Sequence, residues 1–150
     1  MKRPRLLTVS PGRIVRTFSE EEARRLADDW LSVFGKNSRG ANTDAFLWHV
    51  FSGARYPSVE GTQAITEYQD QVGDQFIVLS NDRKHAVLTD LLPSSASSYD
   101  YYVFPPSFAW TMAFTHEVGW LGPYFARHPN YTELDRKARE AAHAREKGWR

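Results

Sequence analysis

The residues best suited to acid–base chemistry are His116 and Glu117. They sit in the run Thr115-His116-Glu117-Val118-Gly119-Trp120-Leu121-Gly122-Pro123-Tyr124-Phe125. An imidazole titrates near neutrality and a carboxylate can orient it, so a strand end leading into a Gly-Pro loop could present the two to a ligand. Asp100 and His49 are further members of the same possible constellation. Consecutive strand residues face apart, however, so His116 and Glu117 reach one substrate atom only if the chain bends there. The competing reading makes His116 the continuation of a core face, hydrogen-bonded to a backbone carbonyl, with Glu117 capping a loop amide.

Other chemistries lack their patterns. A metal could draw on His49, His116, Glu117 and His128, but a zincin helix needs a second histidine four residues on, and that position is Trp120. Gly119 and Gly122 are followed by no Gly-Lys-Ser/Thr, so no phosphate loop is expected. Phe51-Ser52-Gly53 lacks the preceding glycine of a nucleophile elbow, and the chain contains no cysteine. Neither metal nor cofactor is expected.

The elements that must position these residues start with Ser19-Glu20-Glu21-Glu22, a capping box. It opens a helix whose Ala23, Leu26, Ala27, Trp30, Leu31 and Phe34 share a face and which Gly35 ends. The aromatic run Phe46–Phe51 leans to strand by composition. Glu60–Val72 reads as a second helix stopped by Gly73. Gln75–Ser80 and His85–Thr89 flank Asn81-Asp82-Arg83-Lys84 as a hairpin. Tyr99–Phe104 and Phe108–Thr115 read as strands around Pro105-Pro106-Ser107, the second with Phe108, Trp110, Met112 and Phe114 on one face. Residues 119–129 read as an aromatic loop and Thr132 onward as a charged helix. The expected fold is α+β: an antiparallel sheet of four to six strands, two helices packed on one face, and a peripheral C-terminal helix. Residues 1–18 are expected as a basic arm, 19–130 as the core domain and 131–150 as the charged helix.

Of the 150 residues, 41% are apolar and 14% aromatic, enough for a core without disulfides. The net charge of +1 hides a segregation. Residues 1–18 carry five bases and no acid, whereas residues 19–131 carry eight bases against fourteen acids. An acidic body disfavours nucleic-acid binding, which needs clustered bases to meet phosphates. No apolar run approaches the ~20 residues of a membrane span, and Leu6-Leu7 is too short for a signal peptide, so a cytoplasmic protein is expected.

Taken together, Phe46-Leu47-Trp48-His49-Val50-Phe51-Ser52, Asp100-Tyr101-Tyr102-Val103, Trp110-Thr111, Thr115-His116-Glu117 and Gly122-Pro123-Tyr124-Phe125 resemble a family of small uncharacterised bacterial domains. The resemblance implies a bacterial cytoplasmic protein with a compact α+β fold. By fold-level analogy, small acidic domains of this kind resemble immunity proteins, which neutralise a toxin by covering its active surface. The leading expectation is thus a non-catalytic protein-binding domain, an immunity-type inhibitor that meets a basic, toxin-like partner through Tyr56, Glu60, Asp100, Tyr102, Glu117, Trp120 and Tyr124. The alternative is a small enzyme or ligand-binding protein using His116 and Glu117. Oligomeric state is not legible.

Overall fold

The computed structural model describes residues 7–35, 46–116 and 122–148. In chain order the elements are β1 (Val9–Ser10), β2 (Ile14–Thr17), α1 (Glu20–Phe34), α2 (His49–Ser52), β3 (Val59–Glu60), α3 (Gly61–Gln69), β4 (Phe76–Ser80), β5 (Ala86–Thr89), β6 (Ser95–Ala96), β7 (Tyr101–Phe104), β8 (Trp110–Phe114), β9 (Tyr124–Arg127) and α4 (Tyr131–Glu146). The fold is α+β. Among the described residues the main sheet has seven strands in the order β2-β5-β4-β7-β8-β9-β3, every pair antiparallel. This exceeds the expected four to six strands, because β9 lies in the stretch read as an aromatic loop and Val59–Glu60 adds an edge strand ahead of the second helix.

Helix α1 begins as its sequence dictates. The Ser19 hydroxyl accepts from the Glu22 amide at 3.1 Å, and the Glu22 carboxylate accepts from the Ser19 amide at 3.0 Å, satisfying two donors that a helix start leaves over. Ala23, Ala27, Trp30 and Phe34 bury the inward stripe. At Gly35 the requirement is space: a Cβ there would stand 2.7 Å from Leu31 Cδ2 and 2.9 Å from the Leu31 carbonyl oxygen.

The largest departure from expectation concerns where the helices lie. They cover opposite faces of the sheet. Ile77, Leu79, Tyr102, Phe104, Ala113 and Ala126 pack with α1 and α2 in one cluster, while Phe76, Val78, Tyr101, Val103, Met112 and Phe125 pack with Ala64 and Tyr68 of α3 in the other. Alternation sends successive strand residues to opposite faces, so unbroken apolar runs such as Phe76–Leu79 and Tyr101–Phe104 require both faces to be covered. Strand β8 is apolar on one face, with Trp110 and Met112, and small on the other, with Thr111 and Ala113. The small face admits α1: Trp30 is fully buried and its indole N–H donates to Thr111 Oγ1 at 2.8 Å. Burying a side chain of this size contributes about 1.5–3 kcal/mol, and the hydrogen bond keeps the indole nitrogen from being orphaned.

The run Phe46–Phe51 is helical rather than extended. Four residues, His49–Ser52, form α2, and the turn before it spends its amides on side chains: Leu47 donates to Asn81 Oδ1 at 3.1 Å and Trp48 to the Tyr102 hydroxyl at 3.0 Å. A turn lets Leu47, Trp48, Val50 and Phe51 all be buried, which a strand's alternation would not allow against a single cluster. The hairpin of β4 and β5 forms as read, with Asp82 accepting the Lys84 amide at 2.9 Å in the turn. Helix α3 is shorter than Glu60–Val72 and ends at Gln69. Helix α4 has no fully buried residue and is tied to the body through Arg139 and Asp70 at 3.2 Å, a peripheral position.

Residues 7–18 are part of the body. β1 pairs with β6, and β2 forms an outer strand against β5. No described helix is long and apolar enough to cross a membrane.

Candidate functional site

The register of the sheet builds a close carboxylate–imidazole pair from two of the sequence-derived candidates. β7 and β8 align Tyr101 with Phe114, so the residues just before β7 and just after β8 meet at one end of the sheet. There Asp100 Oδ1 accepts from the His116 amide at 2.9 Å, and His116 Nδ1 lies 2.8 Å from Oδ1 and 3.0 Å from Oδ2. The indole N–H of Trp48 donates to Oδ2 at 2.8 Å. Behind the carboxylate, the Asp100 carbonyl accepts from the Ser98 hydroxyl and the Asn81 amide. Asp100 is therefore held from two sides, its side chain only 7% exposed, while that of His116 is 39% exposed.

The rings of Phe46 and Trp48 flank the imidazole, with centroids 5.2 and 6.4 Å away, and His49 stands edge-on to Trp48 at 4.6 Å. A carboxylate on Nδ1 favours the proton there in the neutral ring, which makes Nε2 the basic nitrogen. This is the orienting half of a general-base arrangement. The Nδ1 of His116 thus meets Asp100, sixteen positions earlier. Glu117 lies outside the described residues.

The expected partner-binding residues do not form one surface. Asp100 is 6% exposed and engaged as above, Tyr102 is fully buried and Tyr124 is 3% exposed, so these three offer a partner almost no side-chain surface. Tyr102 donates to Asn81 Oδ1 at 2.6 Å and accepts from Trp48, and burial pushes its phenol well above the ordinary value. Tyr124 stacks on Trp48 at 6.1 Å. Residue type alone carries no local mark of burial, so the sequence does not separate these three from surface residues. Trp120 lies outside the described residues. Glu60 is exposed at the start of α3, and Tyr56 is half-buried with its hydroxyl donating to the Arg127 carbonyl. Loss of hydration raises the Tyr56 phenol. Among the described residues no three His, Asp or Glu side chains are placed to hold a metal.

Two further concave surfaces among the described residues bear on function. A hollow of about 260 Å³ is lined by Leu7, Ser80, Asp82, His85, Ser97, Ser98 and Tyr99. Tyr99 on its rim is 88% exposed. The loop that carries it is stapled to the chain ahead of β2: the Thr8 amide donates to Ser97 Oγ at 2.9 Å, the Ser97 amide to the Thr8 carbonyl at 3.0 Å and the Ser94 amide to the Ser10 carbonyl at 2.8 Å. A larger groove, of about 590 Å³, lies between β9, the segment before β3, and α3. The residues that matter here and escaped the sequence reading are Trp48 and Asn81 at the buried carboxylate network, and Arg127 and Glu67 at the groove. Their contacts join positions 34 to 60 apart in the chain, so no short-range spacing marks them.

Comparison with known proteins adds one finding. No curated protein and no solved structure shows a significant match. The pattern of a domain of unknown function, DUF4275, matches residues 15–125, spanning every motif that suggested an uncharacterised family, from Phe46 to Phe125. With most of its length matched, from the edge strand β2 to β9, the chain belongs to the DUF4275 domain family.

Proposed function

We propose that this protein is a non-catalytic protein-binding domain, acting in the cytoplasm as an immunity-type inhibitor of a basic bacterial toxin. The observation that carries the reading is Tyr99. An aromatic side chain left 88% exposed contributes little to its own fold, yet its loop is pinned by three hydrogen bonds to the backbone of residues 8–10. An exposed tyrosine on a pinned loop beside a hollow is the kind of anchor on which interfaces concentrate their energy, because the backbone that carries it need not be ordered on binding. The hollow also holds Asp82, whose Oδ1 is used by Ser80 and Lys84 and whose Oδ2 accepts nothing among the described residues. A lysine or arginine of a basic partner fits there. The acidic middle of the chain supports the same partner charge.

The test is a binding titration between the purified protein and the product of the adjoining gene, repeated with Tyr99→Ala and Asp82→Asn. A complex that weakens by about tenfold or more in Tyr99→Ala supports the reading. Absence of any complex at low salt overturns it.

The Asp100–His116 pair favours a second reading, a small enzyme in which Asp100 orients His116 as a base. It predicts a turnover that falls in both Asp100→Asn and His116→Gln while the fold survives. Equal activity of these variants and the parent across ester and phosphoester substrates removes it.

A further inference from the structure

The groove beside β9 owes its shape to one proline. Val59 pairs with Phe125 and Glu60 with Tyr124, so continuing the register would place Pro57 opposite Arg127. Proline has no N–H to give the ladder. The Arg127 carbonyl accepts instead from the Tyr56 hydroxyl, and the chain leaves the sheet edge. A cavity of about 590 Å³ opens between this segment and α3, within the size range of small-molecule sites. Val59, Phe125 and Pro129 give it an apolar lining, and Arg127 and Glu67 give it a charged one.

Arg127 is prepared rather than consumed. Its Nη2 donates to Glu67 Oε2 at 2.7 Å and its guanidinium carbon lies 4.4 Å from the centroid of the Tyr131 ring. These contacts fix the plane of the guanidinium and use one of its five N–H donors. Nε and Nη1 donate to nothing among the described residues, and the side chain remains 50% exposed. A planar cation with donors to spare, beside an apolar cavity, is complementary to a carboxylate carried on an apolar body.

We infer that the groove formed by β9, the Tyr56–Val59 segment and α3 binds a small amphipathic carboxylate, its anionic end on Arg127 and its apolar body against Val59, Phe125 and Pro129. This site is separate from the Tyr99 surface and goes beyond the binding function proposed there.

Octanoate is the probe, with 1-octanol as its uncharged counterpart and octylammonium as its cationic one, titrated into the full chain and followed by amide chemical shifts. Octanoate is expected to perturb Val59, Phe125 and Arg127 and to bind at least about tenfold more tightly than 1-octanol, with octylammonium weakest. Arg127→Gln is expected to weaken octanoate by about tenfold or more. Glu67→Gln should strengthen it severalfold, because the guanidinium charge is no longer partly neutralised. Should Arg127→Gln fail to fold, Arg127→Lys keeps the charge but loses the planar fork, and a severalfold weakening is expected. Equal binding of octanoate and 1-octanol, shifts that map elsewhere, an unchanged affinity in the arginine variants, or no octanoate binding at about 5 mM each overturns the inference.

Discussion

The indole nitrogen of Trp48 lies 2.8 Å from the carboxylate of Asp100, joining the turn before α2 to the start of β7 across 52 positions of sequence. That contact makes Asp100 a structural hub as well as the partner of His116. Its oxygens also take the His116 amide, so replacing Asp100 strands buried donors. Asp100→Ala is expected to cost about 2–4 kcal/mol in urea unfolding, the sum of lost hydrogen bonds to a charged group and of unsatisfied donors. Asp100→Asn, which keeps one acceptor, should cost less. A loss under about 0.5 kcal/mol for Asp100→Ala would show that the network holds little together.

Trp30 and Thr111 permit a cleaner measurement. Thr111→Val preserves shape and removes only the acceptor of the buried indole N–H. The expected loss is about 1–3 kcal/mol. Trp30→Phe costs more, because it also leaves a void, and the double variant should lose less than the two single losses added together. Strict additivity in that cycle would mean that the hydrogen bond carries no coupling energy.

The cap of α1 predicts an acid response. Hydrogen bonding to the Ser19 amide, aided by Arg16 and Arg25, holds the Glu22 carboxyl below its ordinary value of 4.5. A depressed carboxylate stabilises the folded state above 4.5, and that contribution is lost as pH falls through the lower folded value. Ser19→Ala is expected to cost about 1 kcal/mol at neutral pH. Glu22→Gln should flatten the fall of Tm between neutral and acidic pH. An unchanged slope would remove Glu22 from the account.

Alkali acts through the core tyrosines. Burial pushes the Tyr101 phenol up to about 12 and those of Tyr68 and Tyr102 higher still. A phenol raised in the folded state stabilises it below the ordinary value of 10, and this is lost as pH rises towards the folded value. Absorbance titration should show a group of tyrosines ionising only with unfolding, in step with loss of near-ultraviolet circular dichroism. Full ionisation of every tyrosine near pH 10 with the fold intact would contradict their burial.

Gly35→Ala is expected to destabilise by about 1–3 kcal/mol, since the added Cβ meets Leu31 backbone that cannot give way as a side chain could. Thermal unfolding reads this directly, and a neutral result would mean that the end of α1 can shift.

What the sequence by itself determined were features closed within a few residues. The Ser19–Glu22 box and the stripe from Ala23 to Phe34 specify α1, and the Asn81–Lys84 turn specifies the β4–β5 hairpin, because their hydrogen bonds and periodicities are local. Tertiary structure decided the rest. The apolar runs at Phe76–Leu79 and Tyr101–Phe104 require two covered faces but do not say which helix covers which; packing places α1 on one face and α3 on the other. Phe46–Phe51 is too short for its period to choose between strand and helix, and the choice fell to Tyr102 and Asn81, which accept the amides of Trp48 and Leu47. Likewise, Asp100 stands against His116 because strand register brings the end of β8 beside the start of β7. Turn geometry fixes which residues pair across β7 and β8, and only the folded turn, not the residue types at 100 and 116, brings the carboxylate to the imidazole.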